Sequence, residues 1–110
     1  MFIENLEREI NNGGFNQFYF NSSGDFSLET VDALLAIGAS KTALIVKKAN
    51  SQFPDTNILK DRGQRQEILL QIEDNAQPVW DECDTEFYKY QEHISDLLVK
   101  YIEENKEKFR

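Results

Sequence analysis

The sequence predicts an all-α fold, a single compact domain of about five to seven helices joined by short loops. Apolar residues recur every three or four positions along nearly the whole chain, which is the helical period. With 110 residues and 40% hydrophobic side chains, the chain supplies one core and has no room for two. Only the stretch FNQFYF at 15–20 has a pattern that a strand would also show. We therefore expect one domain over residues 1–110.

The first predicted helix covers about residues 2–11 and ends at a pair of glycines. Its apolar residues share one face, and Gly13 and Gly14 are the flexible residues that commonly follow a helix. The next stretch, 15–20, is short and aromatic. The residues at 21–25 are Asn, Ser, Ser, Gly and Asp, which are typical of turns.

Two further predicted helices each begin at a serine. Ser27 is the expected N-cap of the first, which ends at Gly38. Ser40 is the expected N-cap of the second, which runs to about Phe53 because Pro54 forbids its continuation. The buried face of the first of these helices is expected to consist of Leu28, Val31, Leu34, Leu35 and Ile37.

The second half of the chain contains three more predicted helices. Asp61 and Gln64 have the spacing of a capping box and begin a helix that extends to about Glu73. Pro78 fits the first turn of the next helix, since a proline at that position loses no helical hydrogen bond. The last helix covers about residues 92–108.

Charge is distributed unevenly along the chain. Twenty acidic and twelve basic residues give a net charge of −8, which repels nucleic acid and anionic membranes at long range. Residues 1–40 carry −5 and residues 73–110 carry −6, whereas residues 41–72 carry +3. Neither a signal peptide nor an apolar run of membrane-spanning length is visible. We expect a cytoplasmic protein that contacts neither membranes nor nucleic acid directly.

The sequence offers few residues for enzyme chemistry. The single histidine, His93, cannot build a multi-histidine metal site. Cys83 lies among acidic residues, which raise the pKa of a thiol and disfavour the reactive thiolate. Glu82 and Glu86 are four residues apart but lack a third ligand for a hard cation. We therefore expect Cys83 to be a core residue, and we expect no catalytic residue, metal or cofactor.

The last predicted helix carries four carboxylates on a narrow stripe opposite its apolar face. At 100° per residue, Glu92, Asp96, Glu103 and Glu107 fall within about 60° of one another. Such a stripe is either an ordinary solubilising face or an imitation of DNA phosphates. One helix supplies only about one charge per 6 Å, against one per about 1.7 Å in duplex DNA, so imitation requires a composite surface. The preceding helix would supply its flank: Asp81, Glu82, Asp84 and Glu86.

A distinctive motif, NGGFNQFYFNSSGD, occupies residues 12–25 and is followed by ETV at 29–31 and AIGA at 36–39. With this motif the chain resembles, over nearly its whole length, a bacterial family named for an acidic DNA-mimic protein. The resemblance implies an all-α domain without known catalysis. It also implies binding to a DNA-binding protein, such as a transcription regulator, through carboxylates placed like phosphates. The motif residues of interest are Asn12, Gly13, Gly14, Phe15, Gln17, Phe18, Tyr19, Asn21 and Gly24.

These motif residues admit two interpretations. The glycines and side-chain amides are a scaffold around a turn, with the aromatic side chains in the core. Alternatively, the segment at 15–19 lines a groove for a ligand or peptide. The first interpretation is favoured, because the glycines and amides are turn-forming residues and the aromatic side chains are large and apolar.

Two functions from different classes follow from these observations. The first is a non-enzymatic interaction protein that occupies the basic nucleic-acid-binding site of a protein partner. The alternative is an immunity-type or adaptor protein that inhibits a specific toxin or enzyme, with charge steering the association. Binding that survives high salt through an apolar contact would favour the alternative. The sequence leaves open whether the protein is a homodimer.

Overall fold

The computed structural model describes residues 2–90 and 92–105, and this part of the chain is helical with no strand. Its five α-helices are α1 (Phe2–Phe20), α2 (Ser27–Ala36), α3 (Ser40–Asn50), α4 (Arg62–Tyr88) and α5 (Ile94–Glu104). Helices α1 and α3 pack against the long α4, and α2 packs against α1 and α3. The predicted all-α fold class is confirmed.

Helix α1 continues past the glycine pair that was expected to end it. Gly14 has φ 78° and ψ −171°, so the helix is kinked there and then resumes. The alternative of a strand at 15–20 is wrong. Phe15, Phe18 and Tyr19 are all fully buried, and their spacing of three and four residues is helical, whereas a strand would bury every second residue.

Neither serine that was predicted as an N-cap has that position. Ser27 is the first residue of α2, and its hydroxyl donates a hydrogen bond to the carbonyl of Gly24 at 2.7 Å. Ser40 is likewise the first residue of α3, after Ala39. Helix α3 ends at Asn50, a few residues before the predicted end, whereas Gly38 terminates the preceding turn with φ 85° as expected.

Helix α4 is continuous, and the predicted break before Pro78 is wrong. Asp61 caps its start as predicted, because its carboxylate accepts a hydrogen bond from the backbone N–H of Gln64 at 2.9 Å. Pro78 and Asp74 are both exposed, so the carbonyl of Asp74, which loses its helical donor, lies on the solvent side. Buried residues on both sides of the proline keep the helix against the core: Leu69, Ala76, Trp80, Cys83 and Phe87.

Aromatic side chains fill the centre of the core. Trp80 is fully buried between Tyr19 and Phe53, with ring centroids at 5.3 and 6.1 Å, and its Nε1 donates to the carbonyl of Ala49 at 3.1 Å. Cys83 is buried as predicted, and burial raises the pKa of its thiol to about 11.

The predicted buried face of α2 is partly wrong, since two of its members are exposed: Leu28 and Leu35.

Helix α5 is shorter than predicted within the described part of the chain. It begins at Ile94, so Glu92 precedes it, and residues 106–108 of the predicted helix lie outside the described residues. Ile94 is its one fully buried residue. None of the described helices is both long enough and apolar enough to cross a lipid bilayer.

Candidate partner-binding surface

One side of α4 carries a line of exposed carboxylates. Glu67, Asp74 and Asp81 are exposed and lie seven residues apart, which is nearly two full turns and places them on the same side of the helix. At 1.5 Å per residue they are about 10.5 Å apart along the helix axis. Only Asp81 was predicted to belong to the surface, because a break was expected at Pro78. The seven-residue spacing was the sequence signal for the other two.

Two other predicted carboxylates of α4 form exposed ion pairs. Glu82 lies 3.2 Å from the ammonium group of Lys48, and Glu86 accepts a hydrogen bond from Lys89 at 2.9 Å. Exposed pairs of this kind contribute only about 0–1 kcal/mol, so a cationic partner can compete for these carboxylates. Asp81 is exposed and accepts a hydrogen bond from Gln77 at 2.8 Å. In the described part of the chain, no three His, Cys, Asp or Glu side chains converge to hold a metal ion.

Asp84 was predicted to flank the surface but is part of the fold instead. It is half-buried, and its Oδ1 accepts a hydrogen bond from the backbone N–H of Phe15 at 2.8 Å. That N–H follows the kink at Gly14, so Asp84 acts as the cap of the second part of α1. Burial raises the pKa of Asp84, the Phe15 N–H lowers it, and the negative charge of Asp81 raises it further.

We expect D84N to be slightly more stable than the wild type at pH 7. The pKa of Asp84 is raised in the folded state, so the ionised form costs stability above that pKa, and the neutral amide keeps an oxygen for the Phe15 N–H. The advantage should shrink as pH falls toward the unfolded pKa of about 3.9, where the wild-type carboxyl becomes protonated. Urea unfolding at pH 7 and pH 4.5 measures both values. D32N, at an exposed carboxylate of α2, is the control, and an equal pH effect in both variants would contradict the assignment.

The stripe predicted on the last helix is only partly assembled. Asp96 and Glu103 are exposed and seven residues apart on α5. Glu92 is not on that helix. Its Oε1 accepts hydrogen bonds from the backbone N–H and the hydroxyl of Thr42, at 2.9 and 3.1 Å, and it caps the start of α3. Glu107 lies outside the described residues.

Several bases of the +3 segment are paired with acids from the rest of the chain. Lys60 forms an ion pair with Glu29, and Lys48 forms the pair with Glu82. The buried Arg65 lies 2.8 Å from Asp25. These contacts compensate three of the six bases of residues 41–72.

The family-like motif is packed into the interior rather than around a groove. Gly14, Phe15, Phe18, Tyr19 and Gly24 are buried, whereas Asn12 and Gly13 are exposed. The hydroxyl of Tyr19 donates to Asn50 at 2.6 Å inside the core. These aromatic side chains therefore cannot line a surface groove.

Two of the side-chain amides of the motif stabilise the kink in α1 from the outer side of the helix. Gln17 and Asn21 each donate a hydrogen bond to the same carboxylate oxygen of Glu9, both at 2.9 Å. Glu9 lies before the kink at Gly14 and both amides lie after it, so the carboxylate ties the two parts of α1 to each other. This arrangement matches the scaffold interpretation of the motif.

A family model described as DMP19-like protein matches residues 1–105. The chain belongs to the DMP19-like protein family. No curated protein and no solved structure matches it. The resemblance seen in the motif is confirmed, and membership of the DMP19-like family suggests a protein of the DNA-mimic type.

In this DMP19-like domain, Arg65 connects the motif to α4. Its guanidinium donates to the carbonyls of Tyr19 at 2.7 Å and Asn21 at 2.8 Å. A Cβ atom on Gly24 would lie 2.9 Å from Nε of Arg65, so only glycine fits beside it. In the sequence, Arg65 was one of the bases of the +3 segment and, with Leu69, one of the residues that carry the family resemblance. The sequence did not show that it shares the buried face of α4 with Leu69.

Proposed function

We propose that this DMP19-like protein is a non-enzymatic DNA mimic that occupies the basic DNA-binding surface of a partner, such as a transcription regulator. The observation that carries the proposal is the line of exposed carboxylates Glu67, Asp74 and Asp81 on one continuous helix. The net charge of −8 directs such a protein toward basic partners and away from nucleic acid itself.

The axial advance of the line is similar to that of every third phosphate in one DNA strand. Phosphates of one strand advance about 3.4 Å per nucleotide along the duplex axis, and the α4 carboxylates advance about 10.5 Å per step. The phosphates also wind around the duplex axis, whereas the carboxylates stay on one side of the helix. The two patterns therefore agree in axial advance alone, and a partner has to meet Glu67, Asp74 and Asp81 with basic side chains arranged in a row.

One line is sparser than a DNA strand, so imitation of DNA requires a composite surface. Asp96 and Glu103 on α5 are further exposed carboxylates with the same seven-residue spacing. The carboxylate of Glu82 becomes available if a partner displaces Lys48. A homodimer would present each of these features twice.

The proposal is tested first by competition. Wild-type protein is immobilised, proteins from the source organism are captured at about 50 mM salt, and elution proceeds to about 500 mM, where screening is strong. A captured protein is purified and bound to labelled duplex DNA. Displacement of the DNA by the DMP19-like protein supports mimicry. A captured partner that binds both simultaneously, or that stays bound at 500 mM salt, contradicts it and favours the immunity-type or adaptor function.

We expect D74K to lower affinity for that partner by about tenfold, because it places a positive charge in the middle of the line against a basic surface. D32K is the matched control, since it makes the same charge change at an exposed carboxylate of α2 outside the line. Titration calorimetry at about 100 mM salt compares the two variants. Equal loss of affinity in both would mean that net charge, and not the α4 line, governs binding.

A further inference from the structure

Helix α5 is much less buried than α3, although each has eleven residues. Five residues of α3 are buried, whereas Ile94 is the only buried residue of α5. Leu97, Leu98 and Tyr101 are half-buried against the core, and the other residues from 95 to 104 are exposed. Because segments with few buried apolar contacts open at a lower free energy than the core, we expect α5 to open before the rest of the fold.

Gaps border α5 on both flanks. On one flank, an apolar groove of about 530 Å³ lies between α5 and the start of α1. On the other flank, a second gap of about 340 Å³ extends to Lys100 and Glu104. Ala36, Ile37 and Tyr101 line both gaps, so α5 rests on the end of α2 along a narrow ridge between them. The flanks of the helix therefore lack the close packing that holds a core helix in place.

The N-terminal end of α5 is fixed by a different set of contacts. The carboxylate of Glu92, two residues before the helix, accepts hydrogen bonds from the backbone N–H and the hydroxyl of Thr42 at the start of α3, at 2.9 and 3.1 Å. Ile94, the first residue of α5, is 3% exposed. This end of α5 is therefore tied to α3, whereas residues 95–104 rest on the ridge.

We propose that α5 is a hinged arm, which lifts off the ridge as one unit and pivots at Glu92 and Ile94 while the other helices stay folded. An isolated helix of this length is only marginally stable in water, so the released arm loses its helical hydrogen bonds. Its exposed side carries Asp96 and Glu103, whereas the carboxylate line lies on α4, which stays in place. The arm is thus the movable part of the composite acidic surface. This consequence rests on the proposed function, but the motion itself does not.

Hydrogen exchange of the full-length wild type, followed residue by residue by NMR, tests the motion without any partner. We expect the amides of residues 98–104 to share one protection factor within about threefold, at least about 100-fold below the protection of Leu69, Trp80 and Phe87 in α4. The amide of Thr42, which bonds to Glu92, should exchange at the rate of α3. Equal protection of α5 and α4, a steady decline of protection toward residue 104, or exchange of Thr42 at the rate of α5 overturns the proposal.

Two variants locate the contact that holds the arm. Y101A removes the side chain that lies on the ridge, and it should lower the protection of α5 at least about tenfold while that of α4 changes less than about twofold. E103Q is the control, because Glu103 is exposed on α5 and lines neither gap. An equal loss of protection in α4 and α5, or equal effects of the two variants, overturns the proposal.

The outcome is separable from that of the proposed function. No partner takes part in the exchange measurements, so their failure leaves DNA mimicry by α4 unaffected. Failure of the competition experiment likewise leaves the motion of α5 unaffected and removes only its consequence for partner binding.

Discussion

Replacing Arg65 with methionine is expected to lower the free energy of unfolding by about 3–5 kcal/mol, the range seen when one partner of a buried ion pair is removed. A domain of this size has about 5–15 kcal/mol in total, so the loss is a large fraction of its stability. The Arg65 side chain is 0% exposed. A methionine fills a similar volume, and the effect therefore reports on polar contacts rather than on a cavity.

The guanidinium donates to several backbone carbonyls at once, of which the carbonyl of Asn21 also accepts from the backbone N–H of Gly24 at 3.0 Å. Its carboxylate partner, Asp25, has an oxygen at 2.8 Å from Nη1 and would be left half-buried beside methionine. Each buried acceptor that loses its donor costs about 1–3 kcal/mol, although such costs do not add in full. Four backbone carbonyls accept hydrogen bonds from Arg65: those of Tyr19, Asn21, Leu59 and Lys60.

Urea unfolding followed by Trp80 fluorescence measures the change. R62M is the matched control, because Arg62 is exposed on the same helix and donates to the Phe20 carbonyl and the Asn21 side chain. We expect R62M to cost less than about 1 kcal/mol. If R65M does not fold, R65K provides the measurement, since lysine keeps the charge but not the fork of donors. A cost of R65M or R65K no larger than that of R62M would contradict the role assigned to Arg65.

The position of Arg65 also shows how far periodicity can predict this fold. Residues 65, 69, 76, 80, 83 and 87 are all buried and are separated by three, four or seven positions, which is one continuous helical face. The sequence contains that pattern across Pro78. The break was predicted from the proline alone, although the apolar period continues past it. The helical period over the whole of α4 predicts one continuous helix, and with it the line of Glu67, Asp74 and Asp81.

Glu92 marks the limit of such prediction. Its angle on a helical wheel placed it with Asp96 and Glu103, but its carboxylate bonds to Thr42, fifty residues earlier in the chain. A hydrogen bond between distant segments leaves no periodic signal. Turn residues allow only the same limited prediction. Gly14 indicated a break in the helix, but the helix that follows it is capped by a hydrogen bond from the N–H of Phe15 to Asp84, which is distant in sequence.

Replacing Gly14 with alanine is expected to cost about 3–4 kcal/mol of unfolding free energy. Its φ of 78° with ψ of −171° belongs to a region of backbone conformation that is essentially restricted to glycine. A Cβ atom there would also lie 2.3 Å from Oδ2 of Asp84, well inside van der Waals contact. The carboxylate would have to move away from the N–H of Phe15 that it caps.

G38A separates backbone strain from this collision. Gly38 has φ of 85°, but a Cβ atom there would meet no atom within 4 Å. We expect G38A to cost only about 1–2 kcal/mol, the penalty of a left-handed conformation for alanine. Urea unfolding of both variants gives the difference. Equal costs would mean that Asp84 yields freely and that the kink is not held by its carboxylate.

A double-mutant cycle then assigns the difference to Asp84. D84A alone leaves the N–H of Phe15 without its acceptor and should cost about 1–3 kcal/mol. In G14A/D84A the Cβ atom of residue 14 no longer meets the carboxylate, and the hydrogen bond to Phe15 is lost once rather than in each variant. The double variant should therefore lose at least about 1 kcal/mol less unfolding free energy than the sum of the two single variants. Additive costs would show that glycine is needed at position 14 for its backbone conformation alone. A coupling of the expected size would show that glycine and carboxylate act as one unit, which orients the second part of α1 and with it the aromatic core.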